Sequence, residues 1–447
     1  MSRTLHDDGE VHPGRQGLAI GLAIGVTLPA LIVRFLHPDL DHPVEALLFG
    51  VAIVGAAFML SWAAEVAQLD ISAGLAIAVL AFIAVLPEYA VDMVFAWKGG
   101  NAVEAYGSGC HPPGAPGEDA CSLALANMTG ANRLLIGIGW SLVVFIAFMR
   151  TRKRREGPIR GVELERSHAV EVSFLALATL YSLTLPLKHT ITLVDAVVLV
   201  GIFIAYTVRI SRAPAEEPHL VGPALLVGTF RQRNRRITVV LLFLFAAGVI
   251  LASAETFADS LVATGQEFGV SEFLLVQWLA PLASEAPELL IAGLYAWRLN
   301  TNAGLGTLVS SKVNQWTLLV GTLPIVFAVA SGGISGLPID THQREELLLT
   351  AAQSFFALAV ICSLSVTTRE ALLLFSLFWA QFVIGAVVPD SMGGIERIIV
   401  AVAYLLLGIF VFVRERHRLR PLLRDGFRTP YANLGKGGAP AREVVGE

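Results

Sequence analysis

Twelve apolar runs, each long enough for a helix that crosses a hydrocarbon core of roughly 30 Å, constrain this chain more than any other feature. They lie near 17–37, 45–66, 70–97, 120–149, 168–186, 190–210, 237–259, 270–298, 303–331, 347–367, 371–389 and 394–413. A helix satisfies its own backbone, which lipid cannot do for it, and solid apolar blocks without period-two alternation exclude barrel strands. Hydrophobic residues make up 55% of the sequence and charged ones 15%, against roughly 45–50% and 25% in soluble domains. The bilayer is therefore the solvent, and the predicted fold is all-α integral membrane with about 12 transmembrane helices.

Charge distribution sets the expected orientation. Arginines crowd segments 150–166, 209–236 and 414–428, whereas the opposite connections carry mainly acids such as Asp39, Asp41, Glu104, Glu118, Asp340 and Asp390. The positive-inside rule then puts both termini in the cytoplasm of a plasma (inner) membrane protein. The basic runs are topological signals, not nucleic-acid sites. The expected partners are the lipid bilayer and small inorganic cations, and the oligomeric state is left open. Residues 1–16 lack a basic region followed by a small-residue cleavage site and read as a cytoplasmic tail. The remaining expected divisions are a first half at 17–210, a linker at 211–236, a second half at 237–413 and a basic tail at 414–447. Cys110 and Cys121 bracket a Pro/Gly-rich loop on the outer, oxidising side, where a disulfide can persist; Cys362 reads as inert packing.

The two halves read alike. Leu86-Pro87-Glu88 in the third run answers Ala286-Pro287-Glu288 in the eighth, Ala64-Glu65 resembles Ala254-Glu255, and Thr129-Gly130-Ala131-Asn132 falls near Ser310-Ser311-Lys312-Val313-Asn314. Equivalent runs are five apart, so the second copy enters the membrane from the opposite side. That is the inverted-repeat architecture of secondary transporters, with a binding site between the halves.

A Pro-Glu pair in a broken helix, followed by an Asn/Ser-bearing motif helix and repeated in inversion, resembles the alpha-repeats of the sodium/calcium exchanger-like (cation/calcium antiporter) superfamily. The resemblance covers about 45–210 and 237–389, with repeat 1 at about 70–149 and repeat 2 at about 270–331. It implies ten core helices in two inverted halves and a secondary active transporter, exchanging Ca2+, Na+ or K+ against H+ or Na+ by alternating access. Those ions are cargo, and no resident cofactor is expected.

A charge near the bilayer centre costs several kcal/mol and demands a partner or a function. The acids in question are Glu65, Glu88, Asp92, Glu255, Asp259, Glu285 and Glu288; the bases are Arg133 and Lys312. Excess carboxylate suits a hard cation, which binds oxygen. Pro87 and Pro287 free the carbonyls of Ile83 and Ala283, and Glu88 and Glu288 follow at the positions of the family's paired acidic ligands. Asp92, one turn on, shares the face of Glu88. Ser284, Glu285 and Ser311 complete the second-copy set, and Gln315 aligns with a family ligand position. Asn127, Asn132 and Asn314 are either oxygen ligands or interhelical hydrogen-bond formers.

The chain departs from the family where Ile83-Ala84-Val85 and Ala283-Ser284-Glu285 replace Gly-Thr-Ser, which removes sodium-type hydroxyls on one side. Lys312 stands where an asparagine is usual. Lys312 and Arg133 either take the place of a bound cation or neutralise acids such as Glu285 or Glu65, with Glu255 as a further charge partner. Carboxyl groups bind protons as well as metal ions, so competition at one cluster gives antiport. A cation channel or a non-transporting scaffold on the same fold is the alternative. An enzyme is not expected: Asp92 and Asp259 are unrelated in the repeat, and His168 and His189 sit at run ends.

Overall fold

The computed structural model describes residues 11–70, 86–107, 110, 119–154, 159–213, 220–387 and 394–434. Helices α1 (Pro13–Gly25) and α2 (Leu28–Leu36) form a bent first span, followed by α3 (His42–Ala67), α4 (Leu86–Tyr106), α5 (Ala120–Leu134), α6 (Ser141–Arg154), α7 (Ala169–Ser182) and α8 (Leu193–Ile210). A short α9 (Pro223–Gly228) leads to α10 (Gln232–Phe268), α11 (Glu272–Trp297), α12 (Thr301–Asn314), α13 (Val320–Ala330), α14 (Thr341–Ile361), α15 (Thr368–Val387) and α16 (Ile395–Arg414). Two further helices, α17 (Arg416–Phe427) and α18 (Tyr431–Leu434), close the described chain.

Among the described residues nine stretches are long and apolar enough to cross a membrane. Helices α4, α11 and α14, which are not among those nine, are 21, 26 and 21 residues long and carry the buried acids Glu88, Asp92, Glu285 and Glu346. Ile83 and the rest of 71–85 lie outside the described residues.

The inverted repeat is visible in details that hydropathy does not carry. Between α5 and α6 runs a π-helical turn, Leu135–Trp140, and between α12 and α13 another, Gln315–Leu319. Such turns widen a helix by one residue and recur at functional sites. Two small ribbons join the halves. Gly161–Glu163, before α7, pairs antiparallel with Ser365–Thr367, after α14; Thr190–Ile191, after α7, pairs with Leu337–Pro338, before α14. Exchanging the halves converts one ribbon into the other, so each end of the bundle carries one clamp.

Three expectations are corrected. The connection expected between the runs at 70–97 and 120–149 starts later than residue 97, because α4 continues to Tyr106; Gly100 permits this by lying where a Cβ would come within 2.5 Å of Ala330 Cβ. The second-copy Pro-Glu helix is not broken, since α11 runs unbroken through Pro281 and Pro287. Helix α10 extends beyond 237–259 at both ends, taking in part of the linker. Cys110 and Cys121 form a disulfide with their Cα atoms 5.7 Å apart, tying the start of the α4–α5 connection to the first turn of α5.

Candidate functional site

Glu88 lies in the first turn of α4 and Asp92 one turn later, both buried. Asp92 Oδ1 accepts a hydrogen bond from Asn127 Nδ2 of α5 at 2.7 Å. Opposite them α11 presents Ser284, Glu285 and Glu288. Glu88 sits beside Ser284 and in the field of Glu288, and Glu285 feels both glutamates. Ser311 of α12 neighbours Glu288, and the Gln315 amide donates to Glu285 Oε1. Acids from the two inverted copies therefore face one another.

What places them is partly proline and glycine chemistry. Pro281 and Pro287 lack an N–H, which leaves the carbonyls of Gln277 and Ala283 without their helical donor. Gly130 of α5 rests on the Gln277 carbonyl so closely that a Cβ there would lie 1.7 Å from the oxygen. Helices α5 and α11 cross at that point, three residues from Asn127 and two from Asn132.

Several oxygens in this region have no hydrogen-bond partner among the described residues: both of Glu88, and one each of Asp92, Asn127, Glu285, Glu288, Asn314 and Gln315. Buried polar atoms are normally paired. A collection of bare carboxylate and amide oxygens is the donor set of a hard cation.

Lys312 is fully buried in α12. Its Nζ donates to the backbone oxygen of Asn132 at 2.7 Å and to the side-chain oxygen at 2.6 Å, lies 5.5 Å from the Trp316 ring centroid and faces Glu285. Asn132 and Lys312 are 180 positions apart, as are the starts of the two π turns. The contact thus joins repeat-equivalent positions and marks the pseudo-twofold axis. Asn132, expected either as a cation ligand or as an interhelical hydrogen-bond former, has its side-chain oxygen engaged by Lys312.

Other charged residues fall elsewhere than expected. Arg133 pairs with neither Glu285 nor Glu65 but with Glu346 of α14, at 2.7 Å, and lies 5.2 Å from the Trp278 ring centroid. Glu346 also accepts from Gln277 at 3.0 Å and pairs with Arg397 of α16 at 2.9 Å. A cavity of about 290 Å³ between α11, α14, α15 and α16 borders this network and not the carboxylate cluster. Glu65 accepts from the Val221 amide at 3.0 Å, at the linker. Glu255 is about half exposed and pairs with Arg34 at 3.3 Å, while Asp259 pairs with Lys98.

Sequence reasoning missed Glu346 because the tenth run was drawn from residue 347. The signal was present: Asp340 and Gln343 form a reciprocal capping box that starts α14 at Thr341, and that spacing is readable in sequence.

The profile of the sodium/calcium exchanger protein family matches residues 44–211 and 238–413. A crystal structure of the H+/Ca2+ exchanger CAX is similar at 40% identity and TM-score 0.82, covering 92% of this chain and 98% of that one. Native YfkE shares the fold at 13% identity and TM-score 0.58, over 87% of this chain and 100% of that one. No curated protein sequence matches.

Proposed function

The chain belongs to the sodium/calcium exchanger protein family, and from that premise we propose that this multi-pass cation antiporter carries calcium against protons, with Glu88, Glu285 and Glu288 as its central ligands. The observation that supports this most is the grouping of those three acids from both repeats with carboxylate oxygens that have no hydrogen-bond partner among the described residues. Calcium takes roughly six to eight oxygens, and Asp92, Asn127, Asn314 and Gln315 offer more beside them. The scarcity of hydroxyls, with Ser284 and Ser311 on the second-copy side, disfavours sodium. The 40% identity to an H+/Ca2+ exchanger supports the same pair of ions.

Proton and calcium compete for the same oxygens, so releasing one admits the other. Alternating access then follows from rocking one half against the other about the site. We assign the halves to 17–210 and 237–413, joined by the 211–236 linker. We place the arginine-rich end, and with it both termini, in the cytoplasm of a plasma (inner) membrane protein on the strength of the charge asymmetry.

The test is calcium uptake into proteoliposomes under an imposed pH gradient, with sodium and potassium gradients as separate arms. Uptake that follows the pH gradient, and is abolished in Glu88→Gln and in Glu288→Gln while both variants fold, supports the reading. Retained flux in both variants moves the site elsewhere, and flux that ignores every gradient favours a channel.

A further inference from the structure

The cavity of about 290 Å³ beside Arg133 takes no part in the cation site. It lies toward the ends where α11 begins at Glu272 and α16 at Ile395, away from the arginine-rich face. Leu274 and Leu279 of α11 and Ile384 of α15 line it and are themselves exposed, which on membrane-spanning helices means that it opens toward lipid. Trp278 forms part of the wall, set edge-on against Phe378 and Phe382 with ring centroids 5.5 and 5.0 Å away. The volume is at the small end for ligand pockets, enough for a polar head and the first part of a chain.

The polar part of the wall is incomplete. Gln381 of α15 lines the cavity and is 6% exposed, yet neither its amide nitrogen nor its oxygen has a hydrogen-bond partner among the described residues. The same holds for Oε2 of Glu396, at the start of α16. Buried polar atoms are normally paired, and lipid hydrocarbon supplies no partner. Gln277, on the same wall, shows the contrast: its amide donates to Thr129 Oγ1 at 3.2 Å and to Glu346 Oε2 at 3.0 Å. The charges on the wall cancel, since Arg133 and Arg397 stand against Glu346 and Glu396, paired at 2.7, 2.9 and 3.5 Å. A carboxylate or phosphate head would set Gln381 Oε1 and Glu396 Oε2 against further acceptors, and an ammonium head would leave the Gln381 amide donor unmet. A hydroxyl satisfies both, because it donates and accepts.

We propose that this cavity binds an uncharged single-chain lipid with a hydroxyl-bearing head of the monoacylglycerol type. Its hydroxyls meet Gln381 and Glu396, and its chain leaves past Leu274, Leu279 and Ile384 into the bilayer. The site is separate from the carboxylate cluster and does not depend on which cation the protein carries.

The test is fluorescence quenching of the delipidated full chain in a zwitterionic detergent by a monoacylglycerol brominated at the chain end. The fatty-acid carboxylate and the alkylammonium of the same brominated chain are separate arms. Saturable quenching by the monoacylglycerol is expected, and it disappears in Trp278→Phe, which removes the fluorophore in the wall. Gln381→Met keeps the side-chain length and weakens the apparent affinity by roughly tenfold, the loss of one or two hydrogen bonds. Without the probe the same variant melts no lower than wild type, because it no longer buries an amide without a partner. Equal quenching by all three heads shows partition into the micelle alone and overturns the site, as does no quenching of Trp278. Unweakened binding in Gln381→Met, or a lower melting midpoint without the probe, shows that the Gln381 amide does not hold the head and overturns the proposal as well.

Discussion

Lys312→Met, which keeps side-chain length and removes the ammonium, reads out the charge of the site. Lys312 is fully buried, held by Asn132 and turned toward Glu285. The acids grouped around it are Glu88, Asp92, Glu285 and Glu288. With all of them ionised against one ammonium, a bound divalent cation still leaves one negative charge for a proton to neutralise. In the variant the same cation leaves a second, and one more proton or monovalent cation joins each cycle. A pH unit is worth roughly 1.4 kcal/mol per proton, so under a one-unit gradient each additional proton raises the attainable calcium ratio about tenfold. The assay is the equilibrium calcium distribution in proteoliposomes at fixed pH difference and clamped potential, a quantity independent of how much protein is active. Equal ratios for wild type and variant, together with a lower melting midpoint, refute the built-in-cation argument. Lys312 is then a clamp whose hydrogen bonds are worth about 1.5–3 kcal/mol each, as for charged donors generally.

Glu346→Gln leaves the Arg133 guanidinium, 3% exposed, without its counter-charge, and destabilises the fold by about 3–5 kcal/mol; an unchanged thermal midpoint in detergent contradicts this. Gly130→Ala forces α5 off the Gln277 carbonyl, and because a misplacement of about 1 Å can cost roughly a hundredfold in rate, exchange falls by about that factor while expression persists. Asp70, beside Arg235 at 2.7 Å, is pulled from 3.8 to about 2, chiefly by its hydrogen bond to Arg235. Its contribution to stability is complete above pH 3.8 and is lost as pH falls toward 2. Melting curves of wild type and Asp70→Asn therefore converge over that window, and a constant difference between them refutes the assignment.

Much of the architecture was legible because a bilayer punishes exceptions. Apolar run length located the helices, and a charge inside a run stood out by its cost, which is how Glu88, Glu285, Glu288 and Lys312 were found. Partners were not legible, since pairing depends on depth and rotation about the helix axis, which hydropathy does not encode. Arg133 meets Glu346 only because α14 begins at Thr341 and passes α5 at that level. Glu255 read as an intramembrane acid, yet α10 is 37 residues long and turns that side chain out toward Arg34. The ribbons were invisible because strands of two or three residues have no periodicity to detect.

The pairing of Asn132 with Lys312 also bears on why one lysine can serve both faces of the membrane. In an inverted-repeat transporter the two access states arise when the halves exchange roles, and each residue moves toward the environment its counterpart occupied. A group on the pseudo-twofold axis is the exception, because the exchange returns it to the same depth. The two π turns share one offset with the Asn132–Lys312 contact, which puts the Lys312 ammonium at that axis. Under the proposed rocking of the halves, Glu88 and Glu288, one from each repeat, would change surroundings. If Lys312→Met changes the attainable calcium ratio, a counter-charge fixed at the axis offsets the same carboxylates in both states, and so lowers the charge that cargo must supply without favouring either face.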